Sequence, residues 1–573
     1  MARIQPLCLA LGLSLVCPTL TLAAWSPNGN PVDTSGTNVH PIVTYNEIFG
    51  GAYFIWQAGS PPRIYVQRLA EDGTIPTQEG GWSLGSPLEV STTSGNQQSP
   101  VSAPDNQGGV FIVWQQVTAG QFDLYAQRIS TYRGRMFGPQ GTPLCARPLA
   151  QIAPAMAPGN TNEALVVWED QRSGQSDIYA QKLVAVSPDS ARFAWLPVDG
   201  VRLCNATGAQ SGPVVVSDGR GGAIAVWEDE RVAGEIDLYA QRVDVDGNLR
   251  WGTPALSAKP IETAACEQLD PAVASDGRGG AIIAWVDRRK CVSDSTADTD
   301  IYAARVDSSG VVAWTKAVCI AAGNQREPVI VSDGAMGAII AWEDGRNASD
   351  DIYCQRLDPN GNPPSGWPAT DLVVCDAPGT QQNPRLVTDG ANGAFITWQD
   401  ARSGENNAYL QRIGGNGHLA AGWVNGLRLC ALQASQELPE PARTADGGII
   451  VGWEDGRGKP AAVEVYAQKQ ALPALAAVEE GPQVRMMPAH PNPFVSRAQF
   501  ELVLAAPREV MVEVLDLSGR RVRTLAHGLL PAGARTFTWD GRTESGAEAP
   551  TGLYFARAHG ASFELRVKLV RLR

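Results

Sequence analysis

The chain has 573 residues, 44% of them hydrophobic, with 60 Gly, 40 Pro and 16 Trp. This length exceeds one ordinary hydrophobic core, and the composition favours a folded, turn-rich β protein over a disordered one. The net charge of −13 argues against a nucleic-acid groove, whose affinity would depend on clustered Lys and Arg.

The N-terminal residues have the features of a secretory signal peptide. Arg3 supplies a basic head, Leu7 to Leu22 is an apolar run, and small residues up to Ala24 suit cleavage after Ala23 or Ala24. We predict that residues 1–23 direct export and that the mature protein is secreted or held at the outer cell surface. A retained membrane anchor is the alternative, although the run is shorter than the ~20 residues of a spanning helix. No later segment is long and apolar enough to span a bilayer.

A repeat of 54 to 59 residues follows, marked by a recurring Trp. Its positions are Trp56, Trp114, Trp168, Trp227, Trp285, Trp342, Trp398 and Trp453. One repeat illustrates the pattern: apolar strands are predicted at Pro328–Ser332, Gly337–Trp342 and Asp351–Leu357, with turn residues between them. A fourth predicted strand carries a second Trp, found at Trp82, Trp195, Trp251, Trp314, Trp367 and Trp423.

Four antiparallel strands per repeat are typical of a β-propeller blade. We predict an all-β fold with an eight-bladed propeller over residues 24–470, and seven blades as the alternative. The last repeat lacks a fourth strand, whereas the stretch from Trp25 to Pro41 resembles one. The N-terminal strand is therefore predicted to complete the last blade and remove an exposed edge.

Two of the cysteines are predicted to form a disulfide, because the fifth repeat has two insertions that each contain one. Cys266 lies in the connection that enters this repeat, and Cys291 lies between its second and third strands. These two kinds of loop share a face of a propeller, and export makes oxidation plausible. The position-equivalent Cys145, Cys204, Cys319, Cys375 and Cys430 are predicted to be buried small apolar residues, and Cys354 a free thiol. Most of the equivalent cysteines precede a Pro by nine residues, and Pro441 is assigned to this position after Cys430.

An acid and a base recur after the repeat Trp. The pairs are Asp170 and Arg172, Asp229 and Arg231, Asp287 and Arg289, Asp344 and Arg346, Asp400 and Arg402, and Asp455 and Arg457. Near-identical copies do not suit catalysis, which needs groups in unequal environments. One interpretation is structural: Asp caps the loop backbone, and Arg pairs with it or with the next acid, such as Asp177, Asp237, Asp300 or Asp351. The other is a ligand-binding ring at the channel mouth, with calcium as a possible ligand.

Other catalytic and metal signatures are missing from the sequence. The five His lack metal-ligand spacing, and neither a Gly-x-Ser-x-Gly elbow nor a Gly-Lys-Ser/Thr loop occurs. No catalytic residue, metal site or resident cofactor is therefore predicted. The recurring Ser-Asp-Gly-x-Gly-Gly-Ala and Trp-Glu-Asp-x-Arg phrases resemble the blades of sialidase-like and other bacterial surface propellers, without the sialidase Asp box. A sialidase-like glycoside hydrolase is thus the alternative to a binding protein.

The last part of the chain is predicted to be a separate domain. Residues 471–484, rich in Ala and Pro, are predicted to be a linker before a domain at 485–573. His490–Phe494, Trp539–Arg542 and Gly552–Phe555 resemble the immunoglobulin-like domain of the flagellar hook-capping protein, and equally the C-terminal sorting domain of the type IX secretion system. This resemblance implies a small β-sandwich for secretion or surface attachment, recognised by the secretion machinery through strand Phe563–Leu572 if it is a sorting signal.

Together these features predict an exported, monomeric binding or scaffold protein with an extracellular glycan or protein ligand. The disulfide-tied insertion of the fifth repeat breaks the symmetry of the array, and a specific site usually requires such asymmetry.

Overall fold

The computed structural model describes residues 25–572 except 37, 119, 188–189, 253–257, 293–297, 348, 458–462, 472–483, 487–488, 490–491, 505–507, 532 and 561–562. The predicted signal peptide, most of the predicted linker and the His490–Pro491 motif residues lie outside the described part. The chain divides into two compact units, Met1–Pro473 and Ala474–Arg573.

The described part of the first unit forms eight antiparallel sheets. Strand β1 (Asn30–Asp33) is the first strand in chain order and belongs to sheet 8. Sheet 1 contains β2 (Asn38–Tyr45), β3 (Ala52–Ala58), β4 (Arg63–Leu69) and β5 (Leu88–Glu89). Sheet 2 contains β6 (Gln97–Pro104), β7 (Val110–Thr118), β8 (Gln121–Ile129) and β9 (Thr142–Cys145). Sheet 3 contains β10 (Gln151–Pro158), β11 (Glu163–Asp170), β12 (Asp177–Ser187), β13 (Ser190–Phe193) and β14 (Val201–Arg202).

The next sheets repeat this order. Sheet 4 contains β15 (Gln210–Ser217), β16 (Ala223–Asp229), β17 (Asp237–Val243) and β18 (Lys259–Glu262). Sheet 5 contains β19 (Gln268–Ser275), β20 (Ala281–Asp287), β21 (Asp300–Val306) and β22 (Val312–Cys319), with the short 3-10 helix η1 (Arg289–Val292) after β20. Sheet 6 contains β23 (Gln325–Ser332), β24 (Ala338–Asp344), β25 (Asp351–Leu357) and β26 (Leu372–Cys375). Sheet 7 contains β27 (Gln381–Thr388), β28 (Ala394–Asp400), β29 (Asn407–Ile413) and β30 (Leu427–Arg428). Sheet 8 contains β31 (Gln436–Arg443), β32 (Ile449–Asp455), β33 (Glu464–Gln470) and β1.

The predicted all-β class is confirmed by these sheets, since η1 is the one helical element among the described residues. The first strand of each sheet contacts the first strand of the next, and β31 contacts β2, so the succession of sheets closes on itself. No helix within the described ranges is long and apolar enough to cross a membrane.

The closure depends on the N-terminal strand. β1 pairs antiparallel with β33, as predicted, with Asn30 opposite Ala467. Gly452 on β32 allows sheet 1 to approach, because an added Cβ there would lie 2.8 Å from Cγ2 of Val43. Val32 is fully buried in the hydrophobic cluster between sheets 8 and 1.

The hydrophobic core is divided among the interfaces between neighbouring sheets, and the repeat Trp is its central residue. All eight of these Trp side chains are fully buried. Each stands opposite a Tyr of the third strand, as Trp342 does opposite Tyr353. Such cross-strand aromatic pairs add stability beyond the area they bury.

Five of the six second-Trp residues do not lie where they were predicted. Only Trp314 is within a fourth strand, and the others lie in the connection that precedes it. From there the indole N–H reaches the next sheet: Trp82 donates to the Thr131 carbonyl at 2.9 Å, and Trp25 donates in the same way to Glu71 at 3.1 Å. These residues therefore link neighbouring sheets, and the fourth strand forms later, close to the equivalent cysteines.

The second unit contains two sheets. One has the order β34 (Val484–Met486), β35 (Ala498–Leu504) and β38 (Gly533–Trp539). The other has the order β37 (Arg521–Leu530), β36 (Arg508–Asp516), β39 (Gly552–Gly560) and β40 (Phe563–Arg571). The motif residues form its aromatic core, where the Trp539 ring centroid lies 4.8 Å from that of Tyr554 and 5.4 Å from that of Phe494. Packing thus explains the aromatic residues Phe494, Trp539 and Tyr554 of the motif.

The closure by β1 can be tested with Val32→Asp. An unpaired carboxylate in this cluster should lower the free energy of unfolding by about 3 kcal/mol or more, measured by chemical denaturation. The control Pro27→Asp places the same charge at an exposed position before β1 and should change little. Equal stability of the two variants would contradict a role for β1 in closing the ring.

Candidate functional site

The recurring Asp after the repeat Trp is a buried acceptor. In sheet 6, Asp344 Oδ2 accepts the indole N–H of Trp342 at 2.9 Å, and Oδ1 accepts the backbone N–H and Nε–H of Arg346 at 3.0 and 2.8 Å. Nη2 of Arg346 donates to Oδ2 at 2.6 Å. Burial opposes ionisation, but the hydrogen bonds from Arg346 and Trp342 hold the pKa of Asp344 below its usual value.

The Arg of each pair makes further internal contacts. The Arg346 guanidinium carbon lies 4.0 Å from the Tyr353 ring centroid, and its Nη2 lies 3.0 Å from the Cys319 Sγ. The aromatic contact recurs at 3.5 to 4.2 Å in all six pairs. The thiol contact recurs at Cys145, Cys204, Cys375 and Cys430.

The equivalent cysteines are buried and free, as predicted, but they are more than small apolar residues. Each lies against an Arg, and burial raises the pKa of the Cys319 thiol to about 12. Cys354 is also buried and free. Cys319, Asp344 and Asp371 bring three ligand atoms together, but the Arg346 guanidinium contacts all three, so this set does not fit a cation.

These contacts define what the predicted binding residues can offer. The carboxylates of Asp170, Asp229, Asp287, Asp344, Asp400 and Asp455 are all fully buried. Only the partly exposed edges of Arg172, Arg231, Arg289, Arg346, Arg402 and Arg457 face solvent. The ligand-binding role of the twelve residues stays a prediction, whereas pairing of each Arg with its own Asp is observed.

Pairing of this Arg with the next acid is not observed. Asp177 instead pairs with Arg202 at 2.8 Å, Asp300 with Lys290 at 2.8 Å, and Asp351 accepts from Asn347. Three of these Arg residues instead pair with a different second acid: Arg172 with Asp199, Arg289 with Glu262, and Arg346 with Asp371. Asp237 has no such partner among the described residues, and its Oδ1 is buried without a hydrogen bond.

The predicted disulfide between Cys266 and Cys291 is present. It ties the connection before β19 to η1, the element that follows β20. Arg288 pairs with Glu267 beside it. The insertion is thus anchored to sheet 5, although residues 293–297 lie outside the described part.

Sequence reasoning missed a ring of strained residues on the first strands. In every sheet the third residue of this strand has a positive φ, between 48° and 58°, and a Pro follows it. The eight residues are His40, Ser99, Ala153, Gly212, Asp270, Glu327, Asn383 and Leu438. Each marks a β-bulge, because the pairing with the second strand shifts there. The Pro of sheet 8 is Pro439, nine residues after Cys430, so the assignment of Pro441 was wrong.

Five of the eight bulges are fixed by the acidic or amide residue that follows the repeat Trp of the preceding sheet. Glu228 accepts the backbone N–H of Asp270 in the next sheet at 2.8 Å, Glu343 that of Asn383 at 2.6 Å, and Gln399 that of Leu438 at 3.0 Å. Glu169 and Glu454 do the same for Gly212 and His40. Burial raises the pKa of Glu228, Glu343 and Glu454. The sequence signal for these contacts was the Glu of the recurring Trp-Glu-Asp phrase, because this Glu is the residue that accepts the backbone N–H of the bulge.

Two cavities lie against this ring of bulges. One, of about 440 Å³, is lined by His40, Ser99, Leu438 and neighbouring residues of sheets 1, 2, 7 and 8. The other, of about 390 Å³, is lined by Ala153, Gly212, Asp270 and Glu327 with residues of sheets 3 to 6. At these cavities each sheet contributes the same bulged backbone conformation but a different side chain.

The Asp–Arg network should be structural. Asp344→Asn removes the negative charge that compensates the Arg346 guanidinium, so the free energy of unfolding should fall by about 3 kcal/mol. Asp376→Asn alters an exposed acid just after the fourth strand of the same sheet and should stay within about 0.5 kcal/mol of wild type by chemical denaturation. Unchanged stability of Asp344→Asn would contradict the structural role.

Asp237 should make stability depend on pH. Burial, with the nearby charges of Glu235 and Asp229, raises the pKa of Asp237 to about 6. Between about pH 4 and that value the folded state keeps a proton that the unfolded state has lost, so stability should fall as pH rises through this range. In urea unfolding, the Asp237→Asn variant should lack the decrease in the free energy of unfolding that Asp237 causes between about pH 4 and 6. Identical pH profiles for variant and wild type would contradict the account.

Comparison with known protein families gives a match in the second unit. Residues 495–562 match the FlgD Ig-like domain. The chain is 43% identical over 60 residues to the basal-body rod modification protein FlgD of Salmonella typhimurium, which covers 10% of this chain and 26% of that protein. The chain thus spans about a quarter of the length of that relative.

Among solved structures, the similarity is distant. A prolyl endopeptidase structure has 10% identity and a TM-score of 0.38, covering 82% of this chain and 54% of its own. The polysaccharide lyase Uly1 has 8% identity and a TM-score of 0.37, covering 78% and 92%. Residues 495–562 are thus similar to the FlgD Ig-like domain, and the function of the first unit has to be argued from its own geometry.

Proposed function

We propose that this chain is an exported or cell-surface binding protein. The eight sheets are the blades of an eight-bladed β-propeller, which binds an extracellular glycan or protein at the mouth of its central channel. The C-terminal immunoglobulin-like domain serves secretion or surface attachment.

The contrast between two sets of repeated positions supports this proposal. The Asp–Arg loops carry the same residues in six sheets and use them in internal contacts. The bulge positions share one backbone conformation, yet their side chains range from Gly212 to Glu327. A fold needs the common backbone, but it does not need different side chains at each copy. Selective binding does need them, because a specific ligand is not eightfold symmetric.

The proposal for the second unit rests on its family match and on the sequence. The signal peptide at residues 1–23 would export the chain. The second unit would then be either a sorting signal removed after secretion or a permanent spacer between propeller and envelope. Mass spectrometry of the chain recovered from the culture medium distinguishes the two, since only a sorting signal predicts loss of the last strand.

A glycoside hydrolase is the second candidate, favoured by one observation. In the 390 Å³ cavity, burial raises the pKa of both Glu228 and Asp270, as an acid catalyst would require. However, Glu228 fixes the bulge at Asp270, and Glu343 and Glu454 do the same elsewhere. A repeated structural contact therefore accounts for Glu228, and binding is the better-supported function.

The channel assignment can be tested with full-length protein on a glycan array, with and without calcium. Ser99→Trp fills the larger cavity from an exposed bulge position and should weaken binding by about tenfold or more. Glu405→Trp places the same bulk on an exposed Asp–Arg loop of sheet 7 and should bind like wild type.

The reverse outcome, in which Glu405→Trp abolishes binding and Ser99→Trp does not, would place the ligand-binding site at the Asp–Arg loops. Hydrolysis of an array glycan would favour the enzyme. Loss of binding on calcium removal would assign a metal to the site.

A further inference from the structure

The fifth residue of the first strand breaks the repeat in two adjacent sheets. Six sheets have a small or aliphatic residue there: Ile42, Val101, Ala155, Val214, Ala272 and Val329. Sheets 7 and 8 have Arg385 and Glu440 instead. Arg385 Nε donates to Glu440 Oε1 at 2.9 Å, so the two charges form an ion pair between neighbouring first strands.

The fold gives no reason for this pair. Six sheets pack at the same position without charge, and taking an ion pair partly out of water generally costs about as much as it returns. Burial raises the pKa of Glu440 despite the opposing effect of Arg385. Arg385 also donates from Nη1 to the Pro384 carbonyl at 3.0 Å, while its Nη2 donates to no group in the described part of the chain. One guanidinium nitrogen is therefore available to a ligand.

Both residues line the 440 Å³ cavity, together with polar and apolar groups from sheets 1 and 2. Gln57, Gln98 and Ser99 supply amide and hydroxyl groups that can donate and accept. Pro41, Pro100 and Ile42 supply small apolar surfaces. Amides and hydroxyls beside apolar patches suit the hydroxyl edges and the C–H faces of a sugar ring.

We propose that this cavity binds an acidic saccharide, with its carboxylate on Arg385 and its hydroxyls on Gln57, Gln98 and Ser99. The inference rests on the proposed binding function and names the ligand class and the site. Glu440 holds the guanidinium in place and partly neutralises it while no ligand is bound. Arg is suited to this task because its guanidinium stays charged, so the available Nη2 can donate a charge-assisted hydrogen bond to a carboxylate.

An extended peptide fits the same surface less well. A peptide that adds a strand needs a row of free backbone N–H groups. At the cavity, Pro41 and Pro100 have no N–H, and the N–H groups of His40 and Leu438 already donate to Glu454 and Gln399. The inner strand edge therefore lacks the regular pattern that peptide pairing requires.

The proposal is tested by isothermal titration of full-length protein with trigalacturonate, using maltotriose as the neutral trisaccharide. Wild type should bind the acidic sugar more tightly, and added salt should weaken that binding. Arg385→Gln should lose about tenfold or more in affinity, because a charge-assisted hydrogen bond is lost. Arg326→Gln removes another ion-paired Arg of a first strand, outside this cavity, and should bind like wild type.

A second variant, Glu440→Gln, is expected to raise the affinity for trigalacturonate, whereas Arg385→Gln lowers it. It removes the internal competitor for Arg385, so affinity for trigalacturonate should rise by a few-fold. Unchanged or weaker binding by Glu440→Gln, with the thermal midpoint of wild type, would overturn the proposal. So would equal binding of the two trisaccharides by wild type.

Two further outcomes separate this inference from the proposed function. If triglutamate binds in an Arg385-dependent manner and trigalacturonate does not, the ligand is an acidic peptide and the saccharide assignment is overturned. If other ligands bind and are blocked by Ser99→Trp while neither acidic probe binds, the channel function stands and only this inference falls.

Discussion

The buried carboxylate beside each repeat Trp is the contact on which the first unit depends. In sheet 6 it joins Trp342, Arg346 and Tyr353 to Cys319, the last residue of the fourth strand of the preceding sheet. One charged group thus orients two aromatic rings and ties two neighbouring sheets together. Removing Arg346 would leave the buried Asp344 carboxylate without its counter-charge, which is among the most costly changes a core can suffer.

The rest of the array follows from joining sheets in this way. Flat interfaces between sheets are filled by buried Trp, and the second Trp of one sheet donates to a carbonyl of the next. The remaining interface, between sheets 8 and 1, is completed by β1. With the Asp–Arg loops committed to internal contacts, the first strands are where the side chains differ between sheets, and bulge residues line the two cavities.

Much of the fold could be predicted from sequence because its signals are local. The Trp–Tyr spacing defines the second and third strands, and paired insertions identified Cys266 and Cys291 as partners. Contacts between sheets could not be predicted in this way, since Glu228 and Asp270 are 42 residues apart in the chain and meet only where two neighbouring sheets pack. The Pro after each bulge was interpreted as the start of a strand, although the Gln three residues before it in seven sheets marked a longer one. Aligning the repeats by that Gln would have shown that Arg385 and Glu440 are charged at a position that is small or aliphatic in the other six repeats.

Hydrogen–deuterium exchange on the full chain, with and without a ligand found on the array, tests most directly whether binding occurs at the channel. The account predicts that the ligand slows exchange in first-strand peptides, such as those covering 38–45 and 436–443, and leaves the Asp–Arg loops unchanged. Slower exchange in loops such as 345–350, with first strands unaffected, would contradict it.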